Sequence, residues 1–124
     1  MATFKKSSDD TRFVARIVEV SAWNDTVSYN DIGGSGRTLS FIQVTSDNDS
    51  AKTHELLLNI YNTADVTVGT TEPVLRFPLQ KAASQEWTCV MPGGVYLDTA
   101  VSISITERDA TAPTQPVTVR MVYY

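Results

Sequence analysis

The chain has 124 residues, 42% of them hydrophobic and 19% charged, and its formal net charge is −4. This balance is typical of one globular domain and excludes a wholly disordered chain. The acidic charge without a basic stripe argues against a nucleic-acid partner, and no apolar run reaches the roughly 18 residues of a membrane-spanning helix.

Residues 1–10 are polar and charged apart from Phe4, which predicts a flexible N-terminal arm followed by a single domain over residues 11–124. Valine and threonine, which favour pleated sheets, recur throughout that domain, and its apolar residues alternate with a period of two. The alternation predicts strands at Arg12–Val20, Ser21–Tyr29, Leu39–Thr45, Glu55–Asn62, Val74–Leu79, Glu86–Met91, Val95–Thr106 and Val117–Tyr124. Arg12–Val20 carries apolar residues on both faces, so we expect both of its faces to be covered.

Glycine, asparagine and proline residues mark the connections between these strands. We predict a mobile hairpin loop at Asn30–Gly36 and turns at Ser46–Ser50 and Pro92–Gly94. Pro78 indicates a strand that ends or lies at a sheet edge, because proline cannot donate a ladder hydrogen bond. The glycines of the predicted hairpin loop do not match a phosphate-binding loop of the Walker type, which needs lysine where Arg37 stands.

Seven or eight strands at this spacing predict an all-β fold, an antiparallel sandwich of two sheets that is either jelly-roll-like or Ig-like. The strands at Glu55–Asn62 and Val95–Thr106 show the clearest alternation. A one-residue slip in register would expose their whole apolar sets, so these sets are expected to share the interior between the sheets. The predicted core residues are Leu56, Leu58, Ile60, Val101, Ile103 and Ile105.

The residue types that carry most catalytic and metal chemistry are scarce in this chain. Cys89 is the only cysteine and His54 the only histidine, which excludes an internal disulfide and a cysteine-built zinc site. A catalytic histidine needs an oriented nucleophile beside it, and no such arrangement stands out around His54. We therefore expect neither enzyme activity nor a bound metal or cofactor. The first six residues lack the apolar segment of a secretory signal, so we expect a protein made in a reducing compartment.

Three motifs follow one another between residues 55 and 106. An apolar strand ends in Ile60–Asn62, a Thr-x-Gly-Thr loop at Thr67–Thr70 leads to a Pro-initiated strand, and a Pro-Gly-Gly-aliphatic turn stands at Pro92–Val95. The alternating strand Val101–Thr106, rich in serine and threonine, follows that turn. This series resembles a pattern in small virion accessory proteins of tailed bacteriophages. Its motifs are structural and cover under half of the chain.

The resemblance implies a β-sandwich accessory protein of a capsid or tail, similar to the cement or decoration proteins that often sit as trimers on the outer capsid. The chain departs from the pattern at Ala100, where glycine is expected. We expect this difference to leave the fold unchanged. From the resemblance we expect a structural virion protein that is assembled in the host cytoplasm and stabilises the capsid lattice. Its expected partners are copies of itself, with a homotrimer favoured, and the major capsid protein or another virion protein.

An alternative function is a carbohydrate- or receptor-binding module of a phage tail or fibre. Its basis is the set of aromatic residues, because aromatic rings stack on sugar faces in many sandwich modules, although large aromatic residues more often belong to a core or a subunit contact.

The two ends of the chain supply the candidate contact residues. Phe4, Lys5 and Lys6 either belong to a frayed terminus or dock the arm onto a neighbouring subunit or an acidic capsid surface, in a manner sensitive to salt. Tyr123 and Tyr124 end a strand with an apolar face, which predicts that this strand lies at or near a subunit contact.

Overall fold

The computed structural model describes residues 3–6, 16–23, 27–46, 56–79, 86–107, 113 and 117–124. All regular structure in these ranges is β-strand, as the alternation predicts, and none of it is helix. The strands are β1 (Thr3–Lys6), β2 (Arg16–Trp23), β3 (Ser28–Tyr29), β4 (Arg37–Ser46), β5 (Leu56–Tyr61), β6 (Leu75–Leu79), β7 (Glu86–Leu97), β8 (Ser102–Glu107) and β9 (Val117–Tyr123). His54 lies outside the described residues.

A nested series of antiparallel pairs defines the fold. Strand β2 pairs with β9, β3 with β8, β4 with β7, and β5 with β6, so the chain forms one long hairpin. Further pairing of β4 with β9 and of β5 with β8 rolls this hairpin into two sheets. Eight strands wound in this way form a jelly roll, which is one of the two sandwich types that the sequence predicts.

Two sheets enclose the core. The five-stranded sheet has the order β1-β2-β9-β4-β7, and the four-stranded sheet has the order β3-β8-β5-β6. The prediction of a shared core is confirmed, because none of the six residues is more than 5% exposed and all belong to one buried cluster. From the five-stranded sheet they meet Val18, Val20, Ile42, Val119 and Met121.

Two aromatic pairs link the two sheets near the sides of the sandwich. Trp23 and Tyr29 join β2 to β3, with ring centroids 4.8 Å apart and rings nearly perpendicular. On the opposite side, Phe77 of β6 and Trp87 of β7 lie 4.9 Å apart. Strand β6 is the edge strand of its sheet, which confirms the prediction made from Pro78.

The predicted N-terminal arm is described only at Thr3–Lys6. There the chain forms β1, which pairs with β2 so that Phe4 lies opposite Val20 and Lys6 opposite Val18. The described part of the arm is therefore a paired strand at the edge of the five-stranded sheet. Residues 1–2 and 7–15 lie outside the described residues, so the flexibility of the arm stays a prediction there.

The turn predicted at Pro92–Gly94 is wrong, because these residues lie inside β7. Leu39 pairs with Val95 and Phe41 with Val90, so four residues of β7 lie opposite one residue of β4. The extra residues form a bulge. Gly93 and Gly94 of this bulge have positive φ. A Cβ atom on Gly94 would overlap the side chain of Thr38.

The hairpin loop predicted at Asn30–Gly36 is also wrong, because this segment crosses from β3 in one sheet to β4 in the other. It is tied to the sandwich: the amide of Ile32 donates to the carbonyl of Val101 at 2.8 Å. A Cβ on Gly33 would come within 2.9 Å of the side chain of Val101, so only glycine fits without movement there. Nε of Arg37 donates to the carbonyl of Gly33 at 2.8 Å.

Candidate functional site

An apolar row crosses the outer face of the five-stranded sheet. Val18 is buried in the core, so its neighbour Ile17 faces outward along β2. Ile17 pairs with Val122 of β9, which pairs in turn with Phe41 of β4. Phe41 pairs with Val90 of β7, which is 65% exposed. Four apolar side chains thus lie side by side over four strands, about 14 Å across at about 4.8 Å per strand.

A second row with two tyrosines adjoins the first. The backbones of Thr38 and Tyr124 exchange two hydrogen bonds, at 3.2 and 3.0 Å, and Thr38 pairs on its other side with Tyr96. Tyr96 is 65% exposed and Tyr124 is 53% exposed. Tyrosine is enriched in protein interfaces because its ring is apolar and its hydroxyl end is polar.

We call these two rows the outer apolar patch. In the described residues, five large apolar side chains are exposed, and four of them belong to this patch. The fifth, Val74, lies next to β6 in the other sheet. The patch comprises Ile17, Phe41, Val90, Tyr96, Val122 and Tyr124.

A polar ladder borders the outer apolar patch. Nε of Arg120 lies 2.7 Å from a carboxylate oxygen of Glu19, and Nη1 of the same guanidinium donates to Gln43 at 3.3 Å. These partly exposed side chains stabilise the fold by at most about 1 kcal/mol, because water screens the pair. Glu19 lies two residues after Ile17 on β2, and Arg120 lies two residues before Val122 on β9. These side chains form a polar rim beside the apolar rows, as in many protein interfaces.

The structure separates the two terminal tyrosines that the sequence predicts as contacts. Tyr123 is fully buried in the core, with the guanidinium of Arg37 over its ring at 5.6 Å. The apolar face of β9 that motivated the prediction therefore faces the core of the same chain. Strand β9 is also paired on both sides, with β2 and β4, so it has no free edge. Only Tyr124 presents its ring on the surface, as part of the outer apolar patch.

The candidate residues Phe4, Lys5 and Lys6 lie in β1, at the edge of the same sheet. Strand β2 alone separates them from β9, which leads to Tyr124. The structure thus brings both predicted contact segments to one sheet. The rest of the outer apolar patch was not predicted, because Ile17 and Val90 stand in strands whose neighbouring residues are also apolar.

A polar cleft of about 170 Å³ lies on the other sheet, between its outer face and the loop that joins β5 to β6. Under it runs a chain of hydrogen bonds. Nε of Arg76 donates to Asn59 at 3.0 Å, and the amide of Asn59 donates to the hydroxyl of Ser104 at 3.3 Å. Ser104 and the hydroxyl of Tyr61 share a hydrogen bond of 2.9 Å. Apart from Arg76, these side chains are buried although they are on the outer face of the sheet.

The loop over this cleft is held at both ends. At one end, Asn62 donates to the carboxylate of Asp98 at 2.6 Å and accepts from the amide of Thr99 at 2.9 Å. The hydroxyl of Thr99 also donates to the carboxylate of Asp98, at 3.2 Å. The bond from Asn62, and then that from this hydroxyl, lowers the pKa of Asp98 below its ordinary value of 3.8. At the other end, the amide of Val74 donates to the carbonyl of Ile60 at 2.8 Å. Within the loop, the amide of Thr67 donates to the hydroxyl of Thr71 at 2.8 Å, and the amides of Thr70 and Thr71 donate to the carbonyl of Thr67.

No protein-family model matches the chain, and no curated protein matches its sequence significantly. In the described ranges, no helix is long and apolar enough to cross a membrane. Within the described residues, the outer apolar patch and the polar cleft are the two candidate binding surfaces.

Proposed function

We propose that this protein is a structural component of a tailed-phage virion, a capsid cement or decoration protein that binds and stabilises the capsid lattice. The observation that carries the proposal is the outer apolar patch, which gathers four of the five exposed large apolar side chains of the described residues. Contiguous exposed apolar surface with a polar rim is typical of a protein interaction site. The patch is the face that docks on the capsid.

Two further observations support this function. The motifs between residues 55 and 106 resemble those of small phage virion proteins. Jelly rolls are also common in viral capsid proteins, although they occur in lectins as well, so the fold alone does not establish a function.

We also propose that the protein forms a homo-oligomer, with a trimer favoured. Strand β7 is a long edge strand, but Pro92 and the bulge at Met91–Gly94 interrupt it, which disfavours the addition of a strand from another copy. The contact is therefore expected on a sheet face or on β1. Light scattering at micromolar concentration is expected to give the mass of a trimer, and a monomer mass would contradict this part of the proposal.

The docking face is tested by adding purified protein to capsids that lack it and measuring occupancy against concentration. Val90→Asp places a charge in the outer apolar patch and is expected to weaken binding at least tenfold, because a charge buried without a partner opposes docking.

Val74→Asp is the matched control, because Val74 is also about half exposed but lies beside β6, in the other sheet. It is expected to bind like the wild type. The proposed docking face is wrong if Val90→Asp binds as tightly as the wild type, or if both variants lose binding equally. Both variants are expected to keep the oligomer mass of the wild type, and a lower mass for Val90→Asp would make the patch a subunit contact instead.

A further inference from the structure

The polar cleft on the four-stranded sheet holds two charged groups that are available to a ligand. Arg76 and Glu72 both line the cleft, and no ion pair joins them. In the described structure Arg76 uses only Nε, which donates to Asn59, and its two terminal nitrogens bond to no other described residue. The carboxylate of Glu72 likewise has no hydrogen bond within the described residues. An arginine and a glutamate thus line one small cleft without forming an ion pair with each other.

The guanidinium is also held in place. Asn59, which orients it, is 4% exposed and is itself held by Ser104, which is bonded to the fully buried Tyr61. A buried and satisfied polar network of this kind is rigid. The cleft therefore presents its donors without a large loss of side-chain freedom on binding.

The two charges favour a ligand without net charge. Arg76 attracts an anion but Glu72 repels it, and Glu72 attracts a cation but Arg76 repels it. A hydroxyl group suits both side chains, because its oxygen accepts from the guanidinium while its hydrogen is donated to the carboxylate. Charged partners make such hydrogen bonds stronger than neutral ones do. The hydroxyl groups of Thr70 and Thr71 line the same cleft.

The size and the remaining lining fit one sugar ring. The cleft volume of about 170 Å³ leaves room for a ligand the size of one pyranose ring. Leu57, Val68 and Pro73 supply apolar surface beside the polar groups. A pyranose has the matching character, with hydroxyl groups around its rim and apolar C–H groups on its faces.

We propose that this cleft binds one neutral sugar residue, with Arg76 and Glu72 as the two groups that hold its hydroxyls. The site is on the sheet opposite the outer apolar patch, and so it is independent of the proposed docking face. A protein attached to a capsid through the five-stranded sheet would keep this cleft exposed.

The test is an NMR titration of the full-length ¹⁵N-labelled protein with three separate probes: methyl α-D-glucopyranoside, methyl α-D-galactopyranoside and N-acetyl-D-glucosamine. At least one probe is expected to shift the amides of Gly69, Thr70, Thr71 and Arg76 in a saturable way. Millimolar affinity is expected, because the contact is small. Glu72→Gln is expected to weaken that binding about tenfold, since it removes a charge-assisted hydrogen bond.

Glu86→Gln is the control, because Glu86 is exposed on the other sheet, and it is expected to leave the affinity unchanged. Arg76→Met is expected to abolish binding. Thr70→Ala removes a hydroxyl from the loop that lines the cleft, leaves the hydrogen bonds of Asn59 and Ser104 in place, and is expected to weaken binding. The proposal is wrong if none of the three probes gives saturable shifts at the cleft. It is also wrong if Glu72→Gln binds like the wild type, or if inorganic phosphate binds the cleft more tightly than every sugar, which would define an anion site.

Discussion

Three consecutive residues, Ile60, Tyr61 and Asn62, serve three different parts of the molecule. Ile60 is fully buried between the sheets, and the hydroxyl of Tyr61 joins the network on the outer face of the four-stranded sheet. Asn62 ties the start of the loop to Asp98 and Thr99, after β7. The alternation of side chains along a strand separates the first two roles. This explains why the Ile-Tyr-Asn motif stands where a core strand gives way to a structured loop.

At the residue scale, the core assignment makes a stability prediction. Ile103→Asp places an unpaired charge between the sheets, at a side chain that is fully buried. We expect it to lower the free energy of unfolding by about 3 kcal/mol or more. Ile17→Asp is the control, because Ile17 is about half exposed on the outer face, and it is expected to change stability by less than about 1 kcal/mol. Urea denaturation measures both variants, and an unchanged midpoint for Ile103→Asp would contradict the core assignment.

At the scale of strands, local alternation predicted most of the elements because it repeats within each segment. Leu56–Tyr61 and Val117–Tyr123 match their predicted spans within one residue at each end. The bulge of β7 could not be predicted in this way. Proline followed by two glycines is typical of a turn, and only the partner strand β4 shows that the chain continues in the same direction. The burial of Ser104 was missed for a similar reason, because its partners Asn59 and Tyr61 come from a distant part of the chain.

The bulge of β7 leads to a stability prediction at the scale of strands. Gly94→Ala forces a side chain into positive φ and also into Thr38 of the neighbouring strand. Gly69→Ala meets the same backbone restriction, but no atom lies within 4 Å of the added Cβ. We expect a loss of about 1 kcal/mol for Gly69→Ala and of about 2 kcal/mol or more for Gly94→Ala, because crowding is added to the strain. Equal midpoints in urea denaturation for the two variants would contradict the close packing at Gly94.

At the scale of the whole molecule, the choice between jelly roll and Ig-like sandwich depended on which strands pair. Val18 pairs with Met121, from opposite ends of the chain, and no local pattern indicates such a pairing. The same nested winding places residue 17, residue 90 and residue 124 on one face. The outer apolar patch is therefore a product of the fold as a whole, and so is its separation from the polar cleft, which lies on the opposite face.

The last prediction concerns the N-terminal arm. A chain that starts at Thr11 lacks β1, an edge strand that pairs with β2 alone. We expect this shortened protein to fold, because the described core residues all lie between Val18 and Tyr123. Capsid occupancy is expected to fall, since Phe4, Lys5 and Lys6 are removed from the sheet that carries the outer apolar patch. The loss is expected to be largest at low salt, where the lysine charges act most strongly.

Two controls distinguish the loss of the arm's own contacts from the effect of exposing the edge of β2. Lys5→Glu with Lys6→Glu keeps the strand and reverses its charge, so it is expected to lower occupancy without affecting folding, as judged by circular dichroism. Deletion of β1 also exposes the backbone of β2, which favours aggregation, so the mass of the shortened protein is measured by light scattering in the same buffer. If the shortened protein still decorates capsids with the same occupancy at the same salt, the arm takes no part in docking, and the outer apolar patch must supply the contact alone.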